Sequence, residues 1–250
     1  MIVAAVVLAA LYLRGVRRLG ARGRRWPASR TAPFLAGCMA IAIAGVLRDS
    51  SFVLHMWEHL LLGMAAPLLL ALGAPVTLAL QTAGPGTRLG IRRVLRSRPA
   101  HVVAHPLVGW LLFGGTLVVV VFTPLIDVAA EHGWVHVGLH VHLVAVGALF
   151  LWPLVGLDPV PRALPFGARL LAVLVAVPFH AFVGIALLST DSPVAPETYP
   201  SLADQRGAAG LLWASGELLT VAAVGIVFLQ WFAADRREAA RADRVADSSQ

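Results

Sequence analysis

Residues 52–80 read FVLHMWEHLLLGMAAPLLLALGAPVTLAL, and the only formal charge in this run is that of Glu58. A transmembrane helix needs roughly 20 apolar residues, so the run predicts a membrane span. The composition of the whole chain supports this interpretation. Of its 250 residues, 58% are hydrophobic and 13% are charged, whereas an average soluble domain has roughly 25% charged residues.

Apolar runs of similar character lie on both sides of this stretch. They are Met1–Leu13, Ala32–Leu47, Pro106–Ile126, Gly133–Leu157, Leu170–Thr190 and Gly207–Ala234. We therefore predict an all-α, polytopic integral membrane protein in which seven transmembrane helices form a bundle. Residues 1–234 are predicted to be a single membrane domain, and residues 235–250 a charged tail. The single cysteine, Cys38, excludes a disulfide framework and any cysteine-based metal motif.

The basic residues, all of them arginines, predict the orientation. All but two of the 20 fall in loops on one side of the predicted membrane, the exceptions being Arg48 and Arg206. The positive-inside rule then predicts an N-terminus outside and a C-terminus in the cytoplasm. We interpret the arginines as topology signals at the lipid bilayer. No nucleic-acid-binding motif accompanies them, so the basic loops do not predict a nucleic-acid partner.

Two pairs of histidines stand out within the predicted spans. His55 and His59 lie on the third run, and His136 and His140 on the fifth. The i, i+4 spacing presents each pair on one helix face. Both runs are predicted to enter from outside, so a rise of about 1.5 Å per residue puts the pairs at the same depths, roughly 4 and 10 Å. If the pairs face each other, they form a four-nitrogen site suited to copper, zinc, iron or nickel, or to haem.

Other polar groups fall at similar predicted depths. Ionisable residues inside a membrane cost about 2.5–3.5 kcal/mol each on insertion scales, so they are functional candidates by default. Glu58 adjoins His59, and His180 and Glu217 are predicted to lie in the outer half of the bilayer. Met56 and Met64 offer thioethers, which are ligands for Cu(I). We expect Glu58, His180, Glu217 and Met56 to surround the histidine site or to relay protons or ions to it.

The residues alone leave alternatives open. Histidines in membrane helices also act as hydrogen-bond partners between helices without any metal. Paired histidines on two helices could instead hold haem in a haem- or quinone-handling redox protein. Residues 55–59 also match H-x-x-E-H, the inverzincin protease motif, but no other protease signature accompanies it.

The same segments resemble a known family. The strings HMWEHLLL at 55–62, APLLL at 66–70 and LGAPVT at 72–77 resemble the Bacillus-type CtaG family, cytochrome c oxidase assembly proteins of bacterial membranes. The resemblance extends to HVGLH at 136–140 and LADQR at 202–206. Members usually carry glutamine where this chain has Glu58.

The resemblance implies a non-enzymatic role in maturing a haem–copper oxidase at the bacterial plasma membrane, with oxidase subunits as partners. It also implies that the protein delivers copper. Our hypothesis is that His55, His59, His136 and His140 form an outer-leaflet copper site. A purely structural partner of the oxidase, without a metal, is the third alternative.

Overall fold

The computed structural model describes residues 1–47 and 50–248, and this part of the chain contains helices and no strand. Arg48, predicted to lie on the outer side, is outside the described residues. The helices are α1 Ile2–Gly20, α2 Ala28–Ala44, α3 Phe52–Leu60, a π-helical turn Leu61–Ala65, α4 Ala66–Leu72, α5 Pro75–Thr82, α6 Pro85–Leu95, α7 Arg98–Val103, α8 Pro106–Phe122, α9 Leu125–Glu131, α10 Gly133–Val155, α11 Phe166–Leu188 and α12 Leu202–Ser248.

Several helices are suited to a membrane. Among the described residues, four segments are long and apolar enough to cross one, namely Phe52–Leu72, Gly133–Val155, Phe166–Leu188 and Leu202–Arg241. Helices α8 and α9, bent by 75° at their junction, become a fifth if they are counted as one broken span. Helix α2 is apolar but has 17 residues. The all-α membrane class is therefore confirmed, and the count of seven spans stays a prediction.

The run at 52–80 does not form one straight helix. Helix continues from Phe52 to Leu72, and the chain then breaks at Ala74, a non-glycine residue with φ of 49°. Tyr12 on α1 donates a hydrogen bond to the carbonyl of Gly73 at 2.8 Å. A Cβ on Gly73 would lie 2.6 Å from Cβ of Phe34 on α2. Helices α1 and α2 therefore pack directly against the break.

The centre of the molecule is set by a close approach of α10 to the π-helical turn. A Cβ built on Gly147 would collide with the backbone carbonyl of Gly63. The two backbones are thus in contact, as small residues permit between membrane helices. This contact fixes how far α10 stands from α3, the two helices that carry the histidine pairs.

Helix α12 anchors the start of α3. Asp204 accepts hydrogen bonds from the backbone amides of Phe52 and Val53, and Ser51 caps the same helix by accepting from Leu54 at 3.2 Å. Gln205 ties down the preceding loop, because it donates to Thr190 Oγ1 at 2.6 Å and accepts from the amide of Val194 at 2.7 Å. The first turn of α3 is therefore held against the α11–α12 loop.

Candidate metal centre

The two predicted histidine pairs lie side by side. The ring centroids of His55 and His136 are 6.2 Å apart, with the ring planes 20° from parallel. Within each pair, the centroids are 4.2 Å apart, both for His55 and His59 and for His136 and His140. The i, i+4 spacing has thus produced two neighbouring pairs of imidazoles, one on α3 and one on α10, with the rings of each pair tilted by 53° and 60°.

Glu58 lies between the two helices. Its Oε1 is 3.2 Å from Nε2 of His140, and its Oε2 is 3.7 Å from Nε2 of His136. The carboxylate is on the same face of α3 as His55, because residues three apart are neighbours on a helix surface. Sequence reasoning assigned Glu58 to the surroundings of the site, whereas the structure gives it contacts with both histidines of α10.

A compact donor group results. His55, Glu58 and His136 each offer one ligand atom, and these atoms lie within 4.8 Å of one another. Imidazole nitrogen suits copper, zinc and iron, and a carboxylate adds an anionic oxygen. The side chain of His136 is 29% exposed, whereas that of Glu58 is 3% exposed. The donor atoms are therefore buried, including Nε2 of His136, and the surface is reached by other atoms of the His136 ring.

The second histidine of each pair lies one helical turn further along its helix. His59 and His140 are both buried, and Nε2 of His59 has no hydrogen-bond partner within the described part of the chain. Buried polar groups are nearly always hydrogen-bonded, so this nitrogen is a candidate donor to an ion. A bound cation satisfies such a nitrogen as well as a water does.

The charge of Glu58 also needs a partner. Among the described residues, its ion-pair contacts are with histidines and not with an arginine. A buried carboxylate is costly unless a positive group compensates it, and this holds strongly inside a membrane. Either a protonated histidine or a bound cation supplies that charge, and both fit the geometry.

Tyr199 was missed by sequence reasoning. Its ring lies 5.6 Å from that of His55 and 5.2 Å from that of Phe52. Tyr199 is in the α11–α12 loop, which Asp127 holds by accepting from both the amide and the hydroxyl of Thr198. Only tertiary contacts bring this loop over α3, so no local sequence signal could have identified the tyrosine.

The remaining predicted residues have different surroundings. His180 on α11 is buried and lies 5.7 Å from the ring of Phe113. Met56, His59 and His180 share the lining of a cavity of about 40 Å³. Glu217 on α12 is half-buried and makes no hydrogen bond or ion pair among the residues described. The structure therefore brings His180 and Met56, but not Glu217, into a common space with a site histidine.

Comparison with known proteins identifies the family. Residues 10–234 match the family model of the cytochrome c oxidase caa3 assembly factor, Caa3_CtaG. The chain belongs to this family. The match covers α2 to α11 in full and most of α1 and α12, so the helices that carry the histidine pairs are those of a Caa3_CtaG protein.

Relatives in mycobacteria extend the comparison. An uncharacterised protein of Mycobacterium bovis and one of Mycobacterium tuberculosis are each 38% identical to this chain over 266 residues, and one of Mycobacterium leprae is 37% identical. Each match covers 98% of this chain and 40% of the relative. The chain thus spans about two fifths of the length of the relatives it matches. No solved structure matches it.

Proposed function

We propose that this protein assists cytochrome c oxidase assembly by binding copper between α3 and α10 and passing it to the oxidase. The observation that supports this most strongly is the buried Glu58 carboxylate among histidines of both helices, with His55, Glu58 and His136 offering donor atoms within 4.8 Å of one another. His59 and His140 extend the imidazole lining one turn deeper. The role is binding and transfer rather than catalysis.

Charge balance supports copper at this place. Cu(I) beside an ionised Glu58 gives a neutral pair, and a neutral pair costs less in a membrane than either charge alone. Cu(II) would leave one positive charge, which the exposed side of His136 can share with water. Because the His136 side chain is 29% exposed, movement of this one ligand would open the site to a partner.

We propose the following membrane arrangement. Residues 1–234 form one domain of seven spans in the bacterial plasma membrane, with the N-terminus outside, and residues 235–250 form a cytoplasmic tail. The arginine distribution supports this orientation. In this orientation, His55 and His136 lie near the outer surface, where an oxidase subunit could receive the ion.

The orientation is tested by cysteine labelling. In a Cys38→Ala background, single cysteines are introduced at Glu197 and at Ser248 and treated with a membrane-impermeant thiol reagent on intact cells. We expect labelling at position 197 and protection at position 248 until the membrane is opened. The reverse pattern would contradict the proposed orientation.

Function is tested in a bacterium that lacks its own copy of the protein. We expect the wild-type chain to restore oxidase activity and oxidase copper content, and the His55→Ala/His136→Ala variant to restore neither. His142→Ala is the matched control, because His142 is also on α10 but exposed and bonded to Thr116 at 2.8 Å. Full restoration by the double variant would refute the copper role of the two histidines.

The geometry favours an ion over haem. Glu58 lies between the helices, 3.2 Å from Nε2 of His140, and so occupies the space that a haem held between α3 and α10 would need. The adjoining cavity of about 40 Å³ is much smaller than the roughly 300–1,000 Å³ of sites for larger ligands. A visible absorption spectrum of the purified protein without a Soret band is the expected result.

A further inference from the structure

Below the histidine pairs, the cavity of about 40 Å³ has a mostly apolar lining that includes the thioethers of Met56 and Met64. Both methionines are buried. His59 borders the same space from α3, and His180 borders it from α11. Half of the four methionines in the chain therefore meet two buried histidines in one cavity.

The π-helical turn rotates Met64 toward the helix face of Met56, and His59 lies between the two methionines along the helix. In a regular α-helix, residues eight apart are rotated by about 80° from each other, since each residue turns the helix by about 100°. The π-turn at Leu61–Ala65 accommodates one extra residue. Around the helix axis, Met64 is therefore rotated by only about 20° from Met56, as a residue seven positions further along a regular α-helix would be. The same change moves Met64 onto the face of His59.

The cavity also contains an unsatisfied nitrogen. His59 Nε2 is buried without a hydrogen-bond partner in the described chain, and the Thr116 hydroxyl on the facing helix already donates to Leu112 and contacts His142. A space of this size exceeds the roughly 10–15 Å³ that one water requires. It therefore has room for an ion, and its donors are thioether and imidazole.

We propose that this cavity is a second metal site, with soft donors, that takes Cu(I) through Met56, Met64 and His59, with His180 on the facing wall. Thioethers select Cu(I) among biological metals, whereas carboxylate and water oxygens favour harder ions. His59 also borders the site between α3 and α10, but binding in the cavity does not require copper at His55, Glu58 and His136. If both sites bind, the chain holds two copper positions one above the other along α3.

The test is X-ray absorption at the copper edge on full-length, selenomethionine-labelled protein loaded with Cu(I) under reducing conditions. We expect selenium in the first shell of the bound copper. The signal should be lost in Met56→Leu/Met64→Leu and kept in Met39→Leu, because Met39 is 61% exposed on α2. Titration against a Cu(I) chelator should show affinity for the cavity at least about tenfold weaker in the double variant.

The controls distinguish a variant that unfolds from one that has lost a copper ligand. Leucine and methionine have similar volumes and substitute for each other well, and the single variants Met56→Leu and Met64→Leu serve if the double variant unfolds early. A shell of nitrogen and oxygen alone in the wild type, or a selenium signal unchanged in both single variants and the double variant, would overturn the proposal. The selenium signal should persist in His55→Ala/His136→Ala. Loss of copper binding by His55, Glu58 and His136 is therefore distinguishable from loss of binding in the cavity.

Discussion

The group at the outer ends of α3 and α10 and the cavity beneath it use different chemistry on one helix. The upper group combines imidazoles with the Glu58 carboxylate, and His136 is partly exposed. The lower cavity combines imidazole with two thioethers, and its methionines and histidines are buried. His59 borders the cavity, and its ring lies 4.2 Å from that of His55 in the upper group. The difference teaches that one helix carries carboxylate and thioether donors on neighbouring faces, and that the π-turn aligns the second thioether, Met64, with Met56.

The largest effect is expected from Gly147→Ala, which disrupts the contact between α10 and the π-turn on which both regions depend. A Cβ at this position collides with the Gly63 carbonyl, and backbone cannot move aside as a side chain tip does. Overpacking costs about 1–3 kcal/mol and occasionally more, and we expect a loss of at least about 3 kcal/mol of stability. Thermal unfolding in detergent measures it, together with copper stoichiometry.

The matched control is Gly138→Ala on the same helix, where an added Cβ meets no atom within 4 Å. Its stability should stay within about 1 kcal/mol of the wild type. Equal melting temperatures for the two variants would show that the α10 contact does not hold the sites in place.

Glu58→Gln sharpens the comparison by removing one charge from the upper group only. We expect copper affinity of that group to fall by about 10–100-fold, because glutamine is neutral and a weaker ligand. The selenium signal of the lower cavity should not change. Chelator competition measures the copper affinity, and absorption at the copper edge measures the selenium signal.

Glu131→Gln is the control for that change, since the Glu131 side chain is 69% exposed and belongs to α9. It should leave both sites as in the wild type. If Glu58→Gln behaved like this control, the carboxylate would have no part in binding the metal.

Gly216→Ala acts on the lower cavity from α12. Its Cβ would lie 2.5 Å from Cγ of His180, so the imidazole has to move and one wall of the cavity changes. We expect a loss of about 1–2 kcal/mol in stability and weaker Cu(I) binding in the lower cavity, whereas copper binding by the upper group should not change. Gly225→Ala, with no atom within 4 Å of its Cβ, should have neither effect.

The smallest effect is expected from Asp204→Ala. The carboxylate caps α3 by accepting from the amides of Phe52 and Val53, and loss of a helix cap costs about 1 kcal/mol. Thermal unfolding should show this small loss, accompanied by slightly weaker binding at His55. Asp191→Ala, which removes an exposed carboxylate in the α11–α12 loop, should be neutral, and an equal loss there would contradict the capping role.

The positions of the long helices followed from the lengths of the apolar runs, whereas the orientation predicted from the arginines stays a prediction. The start of α10 at Gly133 was predicted, and its end at Val155 falls two residues before the predicted Leu157. Helix α11 covers Phe166–Leu188 instead of the predicted Leu170–Thr190. Hydropathy could not show the break at Ala74 or the π-turn, because neither interrupts the apolar run.

The candidate site was partly predictable. The i, i+4 spacing and the matched depths indicated that His55 and His136 belong together, and the structure puts their rings 6.2 Å apart. The i, i+3 relation of His55 and Glu58 was visible in the sequence and indicates a shared face. Tyr199 and the alignment of Met64 with Met56 depend on tertiary contacts and on a helix defect, so sequence alone could not show them.

The central claim is that copper binds between α3 and α10. A structure of the copper-loaded protein, with anomalous scattering measured at the copper absorption edge, tests it most directly. The account predicts a peak bounded by His55, Glu58 and His136, and a second peak beside Met56 and Met64 when the metal is Cu(I). Copper-loaded protein with no peak between the two helices would contradict it.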